Sequence, residues 1–355
     1  MSHFSFSRWA VYAHKDDTGF GRMASDLRSV LGLGHHLVIP SERLSDHPLD
    51  QQGERWLSKE ASPELVRGLL AGLEGIIFFE RPNWHPNVLQ IAHELGVCTV
   101  CVPMWEWFKG DSPEWRFCDL FACPSNYTEK IVRSYGFQNT VQIAWPVDIA
   151  KLYQRHVSGP ARHFIHNAGL VDPDDRKGTR DTIKAFCRMS RQDVRLTVRL
   201  QKEVPLPPVD GRVEILIGNL ANPADLYATG DICVQPSKME GIGFMVLEPA
   251  CAGMPVITID YPPMSEFIQQ ADLRCRTRWR KRKAFPTAWI PHSHLKLPSI
   301  PDLTRRMEWA AANDLAPIST ANRQWAERTF DPIILRRIWE VVLTQIPKRV
   351  LQSSL

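Results

Sequence analysis

The sequence lacks any long run of apolar residues. No segment of its 355 residues approaches the ~20 consecutive apolar residues that a membrane-spanning helix requires. The first residues, M-S-H-F-S-F-S-R-W, lack the apolar core of a secretory signal peptide. A large excess of one charge is also missing, because 43 Lys and Arg oppose 39 Asp and Glu. We therefore expect a globular cytoplasmic protein with no transmembrane segment.

Cysteine is present but forms no framework. Eight cysteines are scattered along the chain, and the C-x-x-C pair Cys98 and Cys101 lies inside an apolar strand pattern, V-C-T-V-C-V. We interpret this pair as buried thiols rather than as a redox or metal pair. His292 and His294 have no Cys, Asp or Glu cluster beside them, and no suitable strand precedes the D-x-D spacing at residues 172–174. We therefore expect no metal site and no bound cofactor.

Length and the alternation of strand and helix signals indicate two α/β domains. A chain of 355 residues is long enough for two domains that each bury a core. Apolar runs such as Gly75–Phe79 suit the central strands of parallel sheets. Repeated strand–helix alternation predicts two Rossmann-like, doubly wound domains with ligands at the carboxyl ends of the strands. We place these domains at residues 1–150 and 151–330.

The most informative segment is Ser237–Pro255, S-K-M-E-G-I-G-F-M-V-L-E-P-A-C-A-G-M-P, in which Glu240 and Glu248 lie eight residues apart. A buried strand is predicted just before it, at Asp231–Val234, and a helix is predicted after the glycines. Backbone N–H groups and the helix dipole at such a junction favour phosphate oxygens. Glu248 is expected about two turns along the helix, within reach of sugar hydroxyls, and Glu240 at the mouth of the site. An ordinary connection with two exposed glutamates is the alternative.

This segment resembles the E-x7-E signature of nucleotide-sugar glycosyltransferases of the GT-B fold, in particular the retaining group 1, or family 4-like, enzymes. Residues 166–186, H-N-A-G-L-V-D-P-D-D-R-K-G-T-R-D-T-I-K-A-F, and the downstream P-V-I-T-I-D-Y-P-P-M-S-E-F-I are similar to the same family. The resemblance implies a hexosyltransferase that is metal-independent and takes a nucleotide diphosphate sugar, with UDP-sugar favoured, as co-substrate. It also implies that the C-terminal helix, within residues 331–355, packs back on the first domain.

The resemblance also implies roles in the donor site. Lys177 would contact the diphosphate, Glu240 the hydroxyls of the transferred sugar, and Glu248 the nucleotide ribose. Gly19, in the first domain, would approach the diphosphate closely because it has no Cβ. Further donor contacts are expected at the glycine turn and at the first helical amides, namely Gly241, Gly243, Phe244 and Met245.

One family feature is missing from the predicted donor site. Relatives carry an arginine after a glycine near the start of the second domain, whereas Leu170 follows Gly169 here. Arg176 or Arg199 is expected to replace it, and the sequence leaves both open. We place Arg176 with the catalytic residues and Arg199 with the donor-binding residues.

Aromatic segments of the first domain suggest an acceptor site. V-P-M-W-E-W-F carries Trp105, Glu106 and Trp107, and R-P-N-W-H-P carries His85. The tryptophans could stack on a sugar ring or a base, and the glutamate could accept a hydrogen bond from a hydroxyl. Both tryptophans are equally compatible with a role in the core. An inverting enzyme would instead need a base, for which His14, His85 and Glu106 are candidates.

A basic segment points to the acceptor. Residues 274–283, R-C-R-T-R-W-R-K-R-K, hold seven basic residues and no acidic one. Such a segment suits an edge strand that binds a phosphate backbone, with Arg278, Trp279 and Arg280 as contacts. An anionic membrane or a solvated loop would also suit it. We predict transfer to a 5-hydroxymethylpyrimidine in double-stranded DNA, as in phage-type DNA modification. Alternatives are a surface glycan or lipid-linked sugar as acceptor, or a non-catalytic binding module.

Overall fold

A computed structural model describes residues 4–16, 19–40, 49, 52–80, 85–283, 292 and 294–347, except for the side chains of Phe20 and of residues 279–283. The strands are β1 (Trp9–His14), β2 (His35–Ile39), β3 (Glu54–Trp56), β4 (Gly75–Phe79), β5 (Cys98–Val102), β6 (Leu120–Cys123), β7 (Thr140–Gln142), β8 (His163–Gly169), β9 (Arg195–Leu200), β10 (Val213–Ile217), β11 (Ile232–Val234), β12 (Val256–Ile259), β13 (Arg274–Cys275), β14 (Thr277–Lys283) and β15 (His294–Pro298). The helices are α1 (Gly19–Leu31), α2 (Pro63–Leu70), α3 (Val88–Glu94), α4 (Asn126–Ser134), α5 (Thr179–Phe186), α6 (Phe244–Cys251), α7 (Ile300–Ala312), α8 (Ala316–Phe330) and α9 (Pro332–Thr344).

The chain divides into two compact units. Unit 1 comprises Met1–Asp148 together with Phe330–Leu355, and unit 2 comprises Ile149–Thr329. The divisions expected from the sequence lie at residues 150 and 330. Unit 1 is therefore built from two separate stretches of sequence, whereas unit 2 is continuous.

Unit 1 contains a parallel sheet in the order β3-β2-β1-β4-β5-β6-β7. In register, Tyr12 of β1 lies between Leu37 of β2 and Phe78 of β4. All three side chains are buried, as expected for strands of a parallel sheet that helices cover on both faces. Cys98 and Cys101 are free thiols on β5; Cys101 is buried, as predicted, and Cys98 is half-buried.

Local sequence signals define several helix ends in unit 1. Ser62 caps α2 by accepting a hydrogen bond from the Leu65 N–H, and Ser125 caps α4 by accepting one from the Thr128 N–H. Asp331 caps α9 in the same way and Pro332 occupies its first turn. This Asp-Pro pair therefore separates α8 from α9.

Helix α9 packs on α1 of the first domain. It buries Leu335, Trp339 and Leu343, which recur every four residues and form one face of the helix. The Arg336 guanidinium lies 5.5 Å from the centre of the Phe6 ring. The predicted return of the C-terminal helix to the first domain is therefore confirmed.

Unit 2 repeats the same plan with a parallel sheet in the order β10-β9-β8-β11-β12-β13. The fold prediction of two doubly wound α/β domains is confirmed. The basic segment was predicted as one edge strand, but the structure divides it. Arg274–Cys275 forms β13 at the edge of the large sheet, whereas β14 pairs antiparallel with β15 in a separate two-stranded sheet.

Candidate active site

The order of the unit 2 sheet reverses between β8 and β11. These strands pair directly, β8 also pairs with β9, and β11 also pairs with β12. The chain therefore leaves their carboxyl ends in opposite lateral directions, which opens a crevice where ligands bind in doubly wound folds. The loops that follow the two strands, residues 170–178 and 235–243, bring the predicted catalytic side chains together.

Glu240 lies between two cationic side chains in this crevice. Its Oε1 accepts a hydrogen bond from Lys177 Nζ at 2.6 Å, and its Oε2 accepts one from Arg176 Nη1 at 3.0 Å. The same Nη1 donates to the carbonyl oxygen of Met239 at 3.0 Å. The three predicted catalytic residues thus form one cluster, in which the glutamate is only 5% exposed.

The cluster determines the charge state of its members. Burial by itself would raise the pKa of the Glu240 carboxyl, but Lys177 and Arg176 outweigh burial and hold that pKa at about 2. Burial lowers the pKa of the Lys177 ammonium, and the attraction of Glu240 opposes that shift. Glu240 is consequently ionised at neutral pH and acts as a hydrogen-bond acceptor.

Lys238 joins the two loops that form the cluster. Its Nζ lies 3.0 Å from Asp175 Oδ2 and 3.0 Å from Asp181 Oδ2. Its backbone N–H donates to the Arg176 carbonyl oxygen at 2.8 Å. Asp175 in turn accepts hydrogen bonds from the Thr179 and Arg180 N–H groups at the start of α5. These contacts hold the Arg176–Lys177 loop against the Glu240 loop.

The start of α6 provides backbone donors next to the cluster. Gly243 precedes the helix with φ +80°, a left-handed conformation that favours glycine. The N–H groups of Val246 and Leu247 donate to the Gly243 carbonyl oxygen. Those of Phe244 and Met245 come before the first intrahelical bond and have no partner within the helix. Gly241 is buried in the same loop.

Glu248 lies closer to the helix start than the sequence suggested. It is the fifth residue of α6, about one turn from the N-terminus, and the expectation of two turns was wrong because the helix begins only after Gly243. The side chain is 1% exposed. Its Oε2 accepts a hydrogen bond from the Tyr227 hydroxyl at 2.9 Å.

Buried polar side chains also lie within β8, at His166 and Asn167, and directly after β11, at Gln235. His166 lies 2.7 Å from the Val234 carbonyl oxygen through Nδ1 and 3.0 Å from Thr179 Oγ1 through Nε2. Burial lowers its pKa to about 4, so the imidazole is neutral at neutral pH. Asn167 donates through Nδ2 to the Leu226 carbonyl oxygen at 3.0 Å. Among the described residues, its buried Oδ1 has no hydrogen-bond partner, and neither has the buried Oε1 of Gln235.

The two candidate arginines occupy different places. Arg176 contacts Glu240 directly, whereas Arg199 lies on β9. There its charge contributes, after burial and Arg195, to lowering the pKa of His163. Of the two, Arg176 therefore belongs to the cluster.

Gly19 and its neighbour Gly21 differ in their surroundings at the start of α1. A Cβ on Gly19 would have no atom within 4 Å. A Cβ on Gly21 would clash with the Asp16 carbonyl oxygen, so the backbone contact that excludes a side chain is made at Gly21. Gly19 has open space beside it, and its predicted approach to a diphosphate stays a prediction.

The predicted acceptor residues lie largely inside unit 1. His85 is 2% exposed, its Nε2 lies 3.0 Å from the Ala61 carbonyl oxygen, and its Nδ1 accepts from the Asn87 N–H at 3.2 Å. Trp105 is 3% exposed and packs edge-on against Tyr127. Glu106 is also buried and Trp107 is half-buried. Their assignment to the acceptor stays a prediction.

The basic strand is partly described. Arg278 is exposed, and its Nε donates to the Pro298 carbonyl oxygen of β15 at 3.0 Å. The side chains of Trp279 and Arg280 lie outside the described part of the structure. In register, Lys281 of β14 is opposite Lys296 of β15.

The described ranges contain neither a candidate metal-binding cluster nor a candidate membrane-spanning helix. No group of three His, Cys, Asp or Glu residues within them is placed to hold a metal ion, and no helix within them is long and apolar enough to span a membrane.

Sequence reasoning missed two residues that organise the site. Lys238 lies inside the quoted S-K-M-E-G segment, but a single lysine in a loop is usually solvated. Tyr227 ends the 3₁₀ turn Pro223–Tyr227, and a tyrosine just before a buried strand is normally interpreted as part of the core. A buried carboxylate needs a hydrogen-bond donor. A search for a donor that could pair with Glu248 would therefore have pointed to Tyr227.

Comparison with known proteins identifies a family for part of the chain. Residues 161–284 match the model of the family described as glycosyl transferases group 1. In a comparison of sequences, no curated protein matched the chain.

Solved structures resemble the chain over most of its length. A glycosyltransferase from Rickettsia africae ESF-5 is 12% identical with a TM-score of 0.64, covering 97% of this chain and 100% of that one. AviGT4, a glycosyltransferase involved in avilamycin A biosynthesis, is 15% identical with a TM-score of 0.56, covering 95% and 97%. TarM is 13% identical with a TM-score of 0.57 over 80% of this chain, which spans 58% of TarM. These likenesses establish the fold, which is GT-B.

Proposed function

We propose that the chain moves a hexose from a UDP-sugar to an acceptor hydroxyl with retention of anomeric configuration, because residues 161–284 match the model of the glycosyl transferases group 1 family. A nucleotide-sugar glycosyltransferase is what the family supports. The sugar, the nucleotide, the stereochemistry and the acceptor are the proposed refinements.

The contact of Glu240 with both Lys177 and Arg176 carries the proposal. Two cations lie in the loop of residues 170–178, and the first amides of α6, at Phe244 and Met245, directly follow the loop that carries Glu240. Fixed charges and dipoles of this kind stabilise the negative charge that develops on a leaving diphosphate. The same groups would support departure of the nucleotide without a divalent ion. Glu240 would then accept hydrogen bonds from hydroxyls of the transferred sugar.

The proposed reaction is a displacement on one face of the sugar. The acceptor oxygen forms a bond to the anomeric carbon as the bond from that carbon to the diphosphate oxygen breaks. The acceptor proton passes to the departing phosphate oxygen, so no separate protein base is required. Glu248 would bind the ribose and thereby hold the nucleotide while the bond breaks.

The proposed acceptor is a 5-hydroxymethylpyrimidine in double-stranded DNA. Support comes from the basic strand β14, where Arg278 is exposed and Lys281 is the backbone register partner of Lys296 on β15. A strand rich in basic residues suits the phosphate backbone of a nucleic acid.

Nucleotide release from UDP-, GDP- and ADP-sugars tests this function. We expect release from a UDP-sugar, stimulated by DNA that contains hydroxymethylcytosine or hydroxymethyluracil, with a mass gain of one hexose on the base. Unmodified DNA of the same sequence is the matched control. Analysis of the anomeric configuration of the product decides between retention and inversion.

Two other results of this test would each exclude part of the proposal. Release that modified DNA does not stimulate removes the DNA acceptor and directs the search to surface glycans and lipid-linked sugars. Absence of release with every donor, together with measurable nucleotide binding, would replace the enzyme with a non-catalytic binding module.

A further inference from the structure

A tyrosine hydroxyl holds the carboxylate that is proposed to bind the ribose. Tyr227 is fully buried, and its hydroxyl donates to Glu248 Oε2 at 2.9 Å. A buried tyrosine ring has few conformations, whereas a glutamate side chain has three rotatable bonds before its carboxylate. The hydrogen bond from the rigid ring therefore restricts the orientation of the more flexible acid.

Hydrogen bonds at both ends of the 3₁₀ turn Pro223–Tyr227 fix the position of this hydroxyl. Asn167, on β8, donates through Nδ2 to the carbonyl oxygen of Leu226, the residue before Tyr227. At the other end of the same 3₁₀ turn, Asn222 Oδ1 accepts a hydrogen bond from the Ala224 N–H at 3.1 Å. The central strand of unit 2 and a capped turn thus fix the tyrosine before any ligand enters.

The Glu248 carboxylate lies on α6, whose first backbone N–H groups are the proposed donors to phosphate oxygens. Glu248 lies one turn beyond the first amides of α6, so a nucleotide whose phosphates reach those amides would bring its ribose toward the carboxylate. Hydrogen bonds between a carboxylate and two hydroxyls depend steeply on direction. A carboxylate that rotates freely would lose most of that selectivity.

We propose that Tyr227 is a positioning residue that fixes the Glu248 carboxylate in the orientation that recognises ribose hydroxyls, and thereby makes the donor site select ribonucleotides over their deoxy analogues. The inference rests on the proposed function, in which Glu248 binds the ribose. Tyr227 itself contacts the carboxylate and acts on the nucleotide only through it.

The test compares Tyr227→Phe with the wild-type protein in binding UDP, 2′-deoxy-UDP and 3′-deoxy-UDP by calorimetry, with the GDP and ADP series alongside. We expect the wild-type protein to bind UDP about tenfold more tightly than a deoxy analogue, as one hydrogen bond to a charged group provides. In Tyr227→Phe this ratio should fall below about threefold. The affinity for a deoxy analogue should fall less than the affinity for UDP, because the analogue has only one of the two hydroxyls that the carboxylate would bind.

The matched control is Tyr153→Phe. Tyr153 is 45% exposed, and its hydroxyl accepts a hydrogen bond from Asn222 Nδ2 at 3.3 Å, so this variant removes a hydroxyl near the same turn without touching Glu248. We expect it to keep the wild-type ratio. Thermal unfolding of both variants verifies that each is folded.

A third variant, Glu248→Gln, separates failure of the inference from failure of the proposed function. If Glu248→Gln abolishes the ratio and Tyr227→Phe retains it, the ribose assignment is supported and the positioning role is wrong. Equal weakening of all ligands in Tyr227→Phe would also overturn the positioning role, because it indicates a structural effect alone. If the wild-type protein shows no discrimination, or Glu248→Gln retains it, the ribose assignment fails and the inference fails with it.

Discussion

The carboxyl edge of unit 2 and the tryptophan segment of unit 1 use their distinctive side chains in opposite ways. In unit 2, Arg176 and Lys177 both contact Glu240. In unit 1, Trp105 packs against Tyr127, and Phe108 joins a cluster of buried aromatic rings. Burial of a charged group without a partner is unfavourable, whereas burial of an aromatic ring stabilises the fold. A conspicuous charged motif is therefore a stronger indicator of a site than a conspicuous aromatic one.

The sharpest test of this contrast removes one charge from unit 2. Lys177→Met should lower kcat for sugar transfer by about 10²–10³-fold, because a fixed cation at a leaving group contributes about that much. The free energy of unfolding should change far less, since Lys177 is only one of two cations on Glu240. Steady-state kinetics with the best donor, together with urea unfolding, measure both effects.

The matched control is Lys184→Met in α5. Lys184 is exposed, and removal of its charge should leave kcat unchanged. Equal losses of activity in the two variants would show that overall charge matters and that the cluster has no special role.

The second test applies to the tryptophans. Trp105→Ala should lower the free energy of unfolding by about 3 kcal/mol, as expected for a large buried side chain. Trp107→Ala should lower it by about 1 kcal/mol, because Trp107 is only half-buried. Urea unfolding of both variants measures this difference. Unchanged stability of Trp105→Ala combined with a raised KM for the acceptor would instead support the predicted crevice.

The third and smallest effect concerns acid sensitivity, which the two units should share. Burial lowers the pKa of His36 in unit 1 and of His166 in unit 2 from 6.5 to about 4. Between these values the unfolded chain binds protons that the folded chain does not, so stability falls as pH decreases from 6.5 to 4. At pH 5 each histidine should cost about 2 kcal/mol relative to neutral pH.

His166→Gln isolates the contribution of unit 2. The loss of unfolding free energy between pH 7.5 and pH 5 should be smaller in this variant by about 2 kcal/mol. His156→Gln, at an exposed position, should keep the wild-type loss. An identical pH dependence in His166→Gln would show that the imidazole is not held neutral by burial.

The sequence predicted the parts of the fold and site that depend on local patterns. Apolar runs predicted β4 and β5. The family resemblance placed Lys177 and Glu240 in the same site. Their contact requires only that the two loops follow adjacent parallel strands. These features require little knowledge of long-range packing.

Features that depend on distant contacts were not predictable. The depth of Glu248 depends on where α6 begins, and the exposure of Trp105 depends on which side of the loop faces the core. The close contact between Gly21 and the Asp16 carbonyl oxygen at the start of α1 was not predicted either. The division of the basic segment between β13 and β14 depends on pairing with β15, which no local pattern in the basic segment indicates.

The discontinuity of unit 1 has a consequence for biosynthesis. A ribosome delivers residues 149–329 as one uninterrupted stretch, so unit 2 is able to fold as soon as that stretch has emerged. Unit 1 must wait, because the helix that packs on α1 belongs to the segment after residue 330. Until then the surface that receives Leu335, Trp339 and Leu343 is uncovered, and the nascent first domain is the part of the chain most in need of protection from aggregation.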